Sequence, residues 1–300
     1  MAGVLAGASV PAAQGRDGER FIVAVDVDLV VFNVTVTDGR GRHVSGLTAD
    51  HFRVREEGRL QQIQLFDAAD APARIGLIVD NSGSMREKRA EVARAALAFM
   101  AASHPQDELF VVNFNEKASL GLPAAVRFTS EAAQLRSALL TEPAGLTALY
   151  DALALGLAHL GAGSPARTAL VVLSDGGDNA SRRRLDEVLM MARGSSATIY
   201  TVGIYDETNL DRNPRALRQI ATVSGGRAYF PDSTSDMDRA WREIAGAIRS
   251  QYRIGYESSN PARDGRYRKV SIAAVRSGSR RLQVTTRDGY VAPSGGPDAR

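Results

Sequence analysis

The sequence predicts an α/β fold: a doubly wound, mostly parallel sheet inserted in a discontinuous β-sandwich that the N- and C-terminal flanks build together. Three observations predict it. Between residues 71 and 250, short apolar runs alternate with amphipathic stretches, the pattern of right-handed βαβ units. Residues 20–70 and 251–292 instead carry period-2 alternation broken by turn dipeptides. Each flank is under about 50 residues, marginal as a domain alone, but together they reach the size of a two-sheet sandwich.

In the first flank, Phe21, Val23, Val25, Val27 and Leu29 put the apolar phase on odd positions. From Val30 the phase moves to Val30, Phe32, Val34 and Val36. Such a change implies a bend or strand break near Val30. Asp38-Gly39 marks a turn, and Phe52–Glu56, Glu57-Gly58 and Leu60–Phe66 read as a hairpin.

In the middle segment, Ile75–Val79 is a short apolar strand and Met85–Met100 has helical periodicity, with Val92, Ala95, Ala96 and Phe99 on one face. Strands are expected at Leu109–Phe114, Ala169–Leu173, Ala197–Ile204 and Ala228–Phe230, and an edge strand at Val126–Phe128. Helices are expected around 130–140 and 147–160, then at Leu185–Arg193, Ala216–Val223 and Asp236–Ile248. In the last flank, Tyr252–Tyr256, Tyr267–Val275 and Leu282–Val291 read as three strands.

Residues 1–19 read as a signal-peptide remnant or a disordered N-terminus, because Met1–Ala13 carries no charge and Val10 and Ala12 sit as small residues before a cleavage point. The former reading makes the protein secreted or periplasmic; the alternative is cytoplasmic. Residues 293–300 read as a disordered tail.

Composition excludes several function classes. The chain has 300 residues, 44% hydrophobic and 24% charged, which suits a folded globular protein. A formal net charge of +3 is too small to argue for nucleic acid. Of 37 basic residues only Lys88, Lys117 and Lys269 are lysine. The tightest cluster, Arg182-Arg183-Arg184, reads as a solvated patch on an exposed helix. There is no cysteine, so thiolate chemistry and disulfides are excluded. No run of 18 apolar residues exists, so no transmembrane helix is expected.

Three short segments carry the chemistry. Strand Ile75–Val79 runs into Asp80-Asn81-Ser82-Gly83-Ser84. Gly145-Leu146-Thr147 opens a helix, and Ser174-Asp175-Gly176-Gly177-Asp178 follows strand 169–173. Alone, each has a plain structural explanation, since Asp, Ser and Thr are common helix N-caps and Asp-Gly is a common turn. Together they fall at the carboxyl ends of strands, where doubly wound sheets bind ligands. They supply two carboxylates and three hydroxyls. That oxygen-only set suits a hard cation such as Mg2+ or Mn2+ and disfavours zinc and copper.

The pattern of Asp80, Ser82 and Ser84, followed by Thr147 and Asp175, resembles the metal-ion-dependent adhesion site of von Willebrand factor A domains, over roughly residues 70–250. The flanks resemble those of the bacterial VWFA-related group, in VTVTDGRGRHVSGLTADHFRVREEG before the domain and SQYRIGYES and TRDGYVAP after it. The resemblance implies a Rossmann-like sheet and a Mg2+ (or Mn2+) ion contacted by Ser82, Ser84 and Thr147. Asp80 and Asp175 would act directly or through water. It implies adhesion-type protein binding in which the ion accepts an Asp or Glu of a partner. Asp151 and Asp178 are candidates to orient the ligands, against the plainer roles of exposed helix residue and turn or cap.

Besides a metal-free structural module, which the five filled positions disfavour, two other function classes remain. One is a metal-dependent hydrolase or phosphotransfer enzyme on the same sheet. It lacks support: no P-loop, no Asp-x-Asp strand end, no G-x-S-x-G elbow and no H-E-x-x-H helix is present. His43, His51, His104 and His159 lie far from the three segments in sequence, so no enzyme is expected. The other is a cytoplasmic assembly factor paired with an AAA+ ATPase, which the β flanks and the signal-like start disfavour.

Overall fold

The computed structural model describes residues 29–68, 71–140, 142–161, 167–204, 212–276 and 282–295. The readings for residues 1–19 and for Phe21–Val27 lie outside them, as do the last five residues of the tail. In chain order the elements are β1 (Leu29–Thr37), β2 (Phe52–Glu56), β3 (Arg59–Gln61), β4 (Ile63–Asp67), β5 (Ala73–Asp80), α1 (Arg89–Ala102), β6 (Glu108–Phe114), β7 (Ala118–Leu120), α2 (Ala132–Ala138) and α3 (Leu149–Leu160). There follow β8 (Arg167–Ser174), α4 (Leu185–Gly194), β9 (Thr198–Gly203), α5 (Pro214–Val223), β10 (Ala228–Tyr229), α6 (Thr234–Arg249), β11 (Tyr252–Glu257), β12 (Tyr267–Ala274), β13 (Gln283–Thr285) and β14 (Gly289–Val291).

The central sheet has the order β10-β9-β8-β5-β6-β7. All its pairings are parallel except that of the edge strand β7 with β6. Helices cover both faces, so β8 and β9 are buried along their whole length and read as continuous apolar runs. From β5 the chain moves to β6 on one side and later returns to β8 on the other. The strand order therefore reverses between β5 and β8, and a crevice opens there at the carboxyl edge. Helix α1 buries Val92, Ala95, Ala96 and Phe99, the face its periodicity predicts.

The two flanks interleave. One antiparallel sheet is β13-β1-β11-β4 and the other is β14-β12-β2-β3, so each holds strands from both ends of the chain. Phe32, Val34, Phe52, Val54, Tyr252, Ile254, Tyr256 and Val270 form one shared apolar core between them. The architecture is an α/β fold with a mostly parallel central sheet and flanking antiparallel sheets.

Several local expectations are corrected. The run Leu60–Phe66 is two strands: β3 pairs with β2, then β4 crosses to the other sheet and pairs with β11. The run Leu282–Val291 likewise splits into β13 and β14, again in different sheets. Val126–Phe128 is not a strand; its neighbour Thr129 makes a single bridge to Leu109, and the true edge is β7. Met85 lies in a 3-10 turn, Gly83–Lys88, that precedes α1. Arg182-Arg183-Arg184 lies in the loop before α4, with Arg184 at its N-cap, not on a helix.

The sandwich is joined to the α/β layer at the amino edge of the central sheet. Arg287, 7% exposed, donates from Nη1 to the carbonyls of Arg193 (3.0 Å) and Ser195 (2.6 Å) just before β9. Its Nη2 donates to the Val31 carbonyl (2.8 Å), and the guanidinium lies 4.6 Å from the centre of the Phe32 ring. Burial pulls its pKa down to about 10. Asn33 adds a bond to the Ser196 carbonyl (2.9 Å), and the Gln251 amide reaches Thr198 and Tyr200. Replacing the guanidinium leaves three carbonyls without their donor. Arg287→Met is expected to lower unfolding free energy by about 3 kcal/mol, since breaking buried charge-assisted bonds costs on that order. Urea denaturation followed by circular dichroism measures it; a loss below about 1 kcal/mol would remove Arg287 as the principal fastener.

Candidate metal centre

Asp80 ends β5, and Ser174 ends the neighbouring β8. The register places Val79 beside Leu173, so the two side chains emerge together at the switch point. Asp80 is 2% exposed. Its Oδ2 accepts the Ser174 hydroxyl at 2.6 Å, and its Oδ1 accepts the Ser82 backbone N–H at 2.9 Å. The Ser82 and Ser84 hydroxyls lie 3.1 Å apart. Ser84 Oγ donates to Asp175 Oδ2 at 2.8 Å, and Asp175 Oδ1 accepts the Gly177 N–H at 2.9 Å. Asp80, Ser82, Ser84 and Asp175 thus belong to one hydrogen-bonded chain.

Thr147 comes to the same edge through backbone ties. The Gly83 N–H donates to the Gly145 carbonyl (3.2 Å), and the Ala144 N–H to the Asn81 carbonyl (2.9 Å). The Thr147 N–H donates to Asn179 Oδ1 (2.8 Å), and its carbonyl accepts the N–H groups of Asn179 and Ala180. The Ala148 N–H is bonded to the Asn115 carbonyl (2.6 Å). Loops after β5, β6 and β8 are therefore laced around Thr147. Two glycines permit this. Gly145 has φ +78°, and Gly176 has φ +85° with so little room that a Cβ would sit 2.6 Å from the Asn213 carbonyl oxygen.

Capping, the rival duty for these hydroxyls, is performed elsewhere. Ser82 stands at the N-cap of the 3-10 turn but makes no capping bond. The N-cap of α3 is Ala148, not Thr147. Its first turn is held by Asp178, whose Oδ1 accepts the Tyr150 N–H (3.3 Å) and the Ser181 hydroxyl (2.6 Å). Asp151 accepts the backbone N–H groups of Arg182 (3.0 Å) and Arg183 (3.2 Å) and so fixes the loop before α4. Both acids bond to backbone and hydroxyl groups of α3 and that loop.

The site is electrostatically loaded. Burial raises the Asp80 pKa to about 6, against the lowering effect of its bonds from Ser174 and Ser82, and the charge of Asp175 raises it further. Among the described residues no group of three or more His, Cys, Asp or Glu side chains could hold a metal ion. The set consists instead of two carboxylates and three hydroxyls. His159 is occupied elsewhere, packed 4.5 Å from the Phe110 ring with Nε2 beside the Arg127 carbonyl.

Sequence reasoning missed the supports. Ser174 clamps Asp80, and Asn113 accepts the Asn81 amide (3.0 Å) while donating to the Ala138 carbonyl (2.7 Å). Asn179 carries Thr147, and the Asn213 N–H holds the Asp175 carbonyl (3.0 Å). An asparagine just past a strand end was the available signal, but it is equally the signal of an ordinary turn.

Residues 75–177 match the family model of the von Willebrand factor type A domain. No curated protein matches the chain. Among solved structures, a von Willebrand factor type A protein from Catenulispora acidiphila is similar at 16% identity and TM-score 0.54, covering 89% of this chain and 74% of that one. BatB from Bacteroides thetaiotaomicron is 18% identical over 59% of this chain and 100% of its own, TM-score 0.46. Proximal thread matrix protein 1 from the mussel byssus, in a structure described as having a zinc-occupied MIDAS motif, is 15% identical over 64% of this chain and 49% of its own, TM-score 0.48. The fold is of the von Willebrand factor type A kind.

The clamp on Asp80 is testable without metal. Ser174→Ala removes the hydroxyl that donates to Oδ2, so the Asp80 carboxyl midpoint is expected to move above its value of about 6. Carboxyl carbon NMR in EDTA measures it; an unchanged or lower midpoint would deny Ser174 this role.

Proposed function

We propose that this von Willebrand factor type A fold is a divalent-cation-dependent protein-binding module, in which a Mg2+ (or Mn2+) ion accepts an Asp or Glu carboxylate of a partner. The single observation that supports it best is the hydrogen-bonded chain linking Asp80, Ser82, Ser84 and Asp175 across two separate loops. The donor set fits such an ion. It is all oxygen, its hydroxyls are free of capping duty, and its buried carboxylates carry charge that a cation would offset. Ser82, Ser84 and Thr147 would hold the ion, with Asp80 and Asp175 as direct ligands or one water removed.

A bound divalent ion supplies a Lewis-acidic position that a carboxylate oxygen can fill. This chain's own residues prepare that position. Ser174 and the Ser82 N–H orient Asp80, and the Gly177 N–H orients Asp175. Ser84 is exposed, so the site opens to a partner at its end of the chain of bonds. Neutral hydroxyls leave the ion more positive than a carboxylate cage would, which favours an anionic partner group. Binding is the role these residues suit, since the carboxylates and hydroxyls are bonded to one another and to backbone N–H groups, as ligands held in place for an ion. No helix among the described residues is long and apolar enough to cross a membrane. An exported setting, extracellular or periplasmic, is part of this reading and rests on the charge-free residues 1–13.

A ligand that binds only the folded state raises its stability. Mg2+ or Mn2+ at ten times its dissociation constant is therefore expected to raise Tm by roughly 3–5 °C over EDTA. Asp80→Ala and Thr147→Ala are each expected to abolish that rise with circular dichroism unchanged. A metal-induced rise that survives in both variants would overturn the site, and no rise in the wild type would overturn cation binding.

A further inference from the structure

We infer that the partner segment is acidic beyond the one carboxylate that the cation takes, and that Arg182, Arg183 and Arg184 engage its additional carboxylates. This rests on the cation reading above and specifies its ligand. The three arginines follow directly on the loop that is bonded to Thr147. The segment Asp178–Arg183 is bonded against the first turn of α3, directly after Thr147. The Asn179 N–H meets the Thr147 carbonyl, Ser181 Oγ accepts the Asp151 N–H (3.1 Å), and Asp151 accepts the Arg182 and Arg183 N–H groups.

The backbone of this loop is thus fixed while the side chains of Arg182, Arg183 and Arg184 are exposed. Their internal partners are weak. Arg183 stands 4.0 Å from Asp151, and Arg184 stands 3.3 Å from Asp186 with its side chain 79% exposed. Exposed pairs of this kind contribute little. Nor does helix stability explain the arginines. They precede Leu185, the first residue of α4, where the helix dipole disfavours cations. Three positive groups held at the positive end of a helix are arranged for a ligand that approaches from solvent.

A short acidic protein segment fits better than a nucleic acid. Glu87, Asp186 and Glu187 are exposed on the segments that flank the site, and they repel a uniformly charged backbone. A peptide can place carboxylates on the cation and the arginines and avoid those acids. Leu146, 52% exposed and adjacent to Thr147, offers it an apolar contact in between.

The test uses the full chain and a rhodamine-labelled hexaglutamate peptide, with fluorescence anisotropy in millimolar Mg2+. The comparison is with a triple variant, Arg182→Ser, Arg183→Ser and Arg184→Ser, which keeps the loop's backbone bonds. Wild type is expected to bind in a salt-sensitive, EDTA-sensitive manner, and the triple variant about tenfold more weakly, the combined effect of three favourable exposed ion pairs. The Mg2+-induced rise in Tm is expected to be equal in both. Equal peptide affinity in the two proteins overturns the inference and, where the Tm rise persists, leaves the cation reading standing. Loss of the Tm rise in wild type, with binding indifferent to EDTA, overturns the cation reading and this inference with it. Tighter binding of a ten-nucleotide oligo(dT) than of hexaglutamate by the wild type also overturns it.

Discussion

The carboxylate of Asp80, buried at the end of the central strand, is the constraint around which the carboxyl edge is organised. Removing a carboxylate from water costs several kcal/mol, and a hydrogen bond to a charged group returns about 1.5–3 kcal/mol. Asp80 accepts such bonds from Ser174 and from Ser82, and its pKa still stands near 6 instead of 3.8. The remaining deficit of the ionised form is on the order of 3 kcal/mol. A second carboxylate, Asp175, stands close enough to add to it. The protein therefore holds a polar cluster that would be more stable with a positive charge inside it. The asparagines of the surrounding loops keep the arrangement from relaxing into solvent.

The joint and the site lie at opposite edges of the same sheet. Arg287, Asn33 and Gln251 bond to residues 193–200, near the start of β9, whereas Asp80 and Asp175 stand at or just past the ends of β5 and β8. An eight-residue strand such as β5 separates its ends by roughly 25 Å. The sandwich built from the two flanks thus grips the amino edge and leaves the carboxyl edge to solvent. The interleaving of the flanks makes the grip mutual. β1 pairs with β11, and β12 with β2, so neither half of the sandwich forms without the chain returning from the α/β layer.

Much of this was legible because burial leaves a periodic trace. β5, β8 and β9 are buried on both faces and read as apolar runs, and Phe32, Val34 and Val36 fix the inward face of β1. What was not legible is what burial does not record. Only Gln62 separates β3 from β4, with no Gly, Pro, Asn or Asp to mark the change of sheet, so Leu60–Phe66 reads as a single run. Asp288-Gly289, where β13 gives way to β14, reads as a break inside one strand. β7 is half exposed and leaves no pattern, whereas Val126 and Phe128 pack against the core without pairing and mimic one. The arginine triplet read as helix surface because helix propensity says nothing about the loop that Asp151 ties down.

The hydroxyls illustrate how a weak signal becomes a strong one. Ser82 and Thr147 sit where helix caps occur, and from sequence the capping explanation was sufficient for each. In the fold that duty has passed to others: Asp178 holds the start of α3, and Ser82 turns its hydroxyl to Ser84. A hydroxyl near a helix start that does not cap has no local reason to be a hydroxyl. Two such groups stand at one edge beside two buried carboxylates, Asp80 and Asp175. On the cation reading proposed above they are ligands of one ion, and the positive loop beside them suits the anion that such an ion attracts.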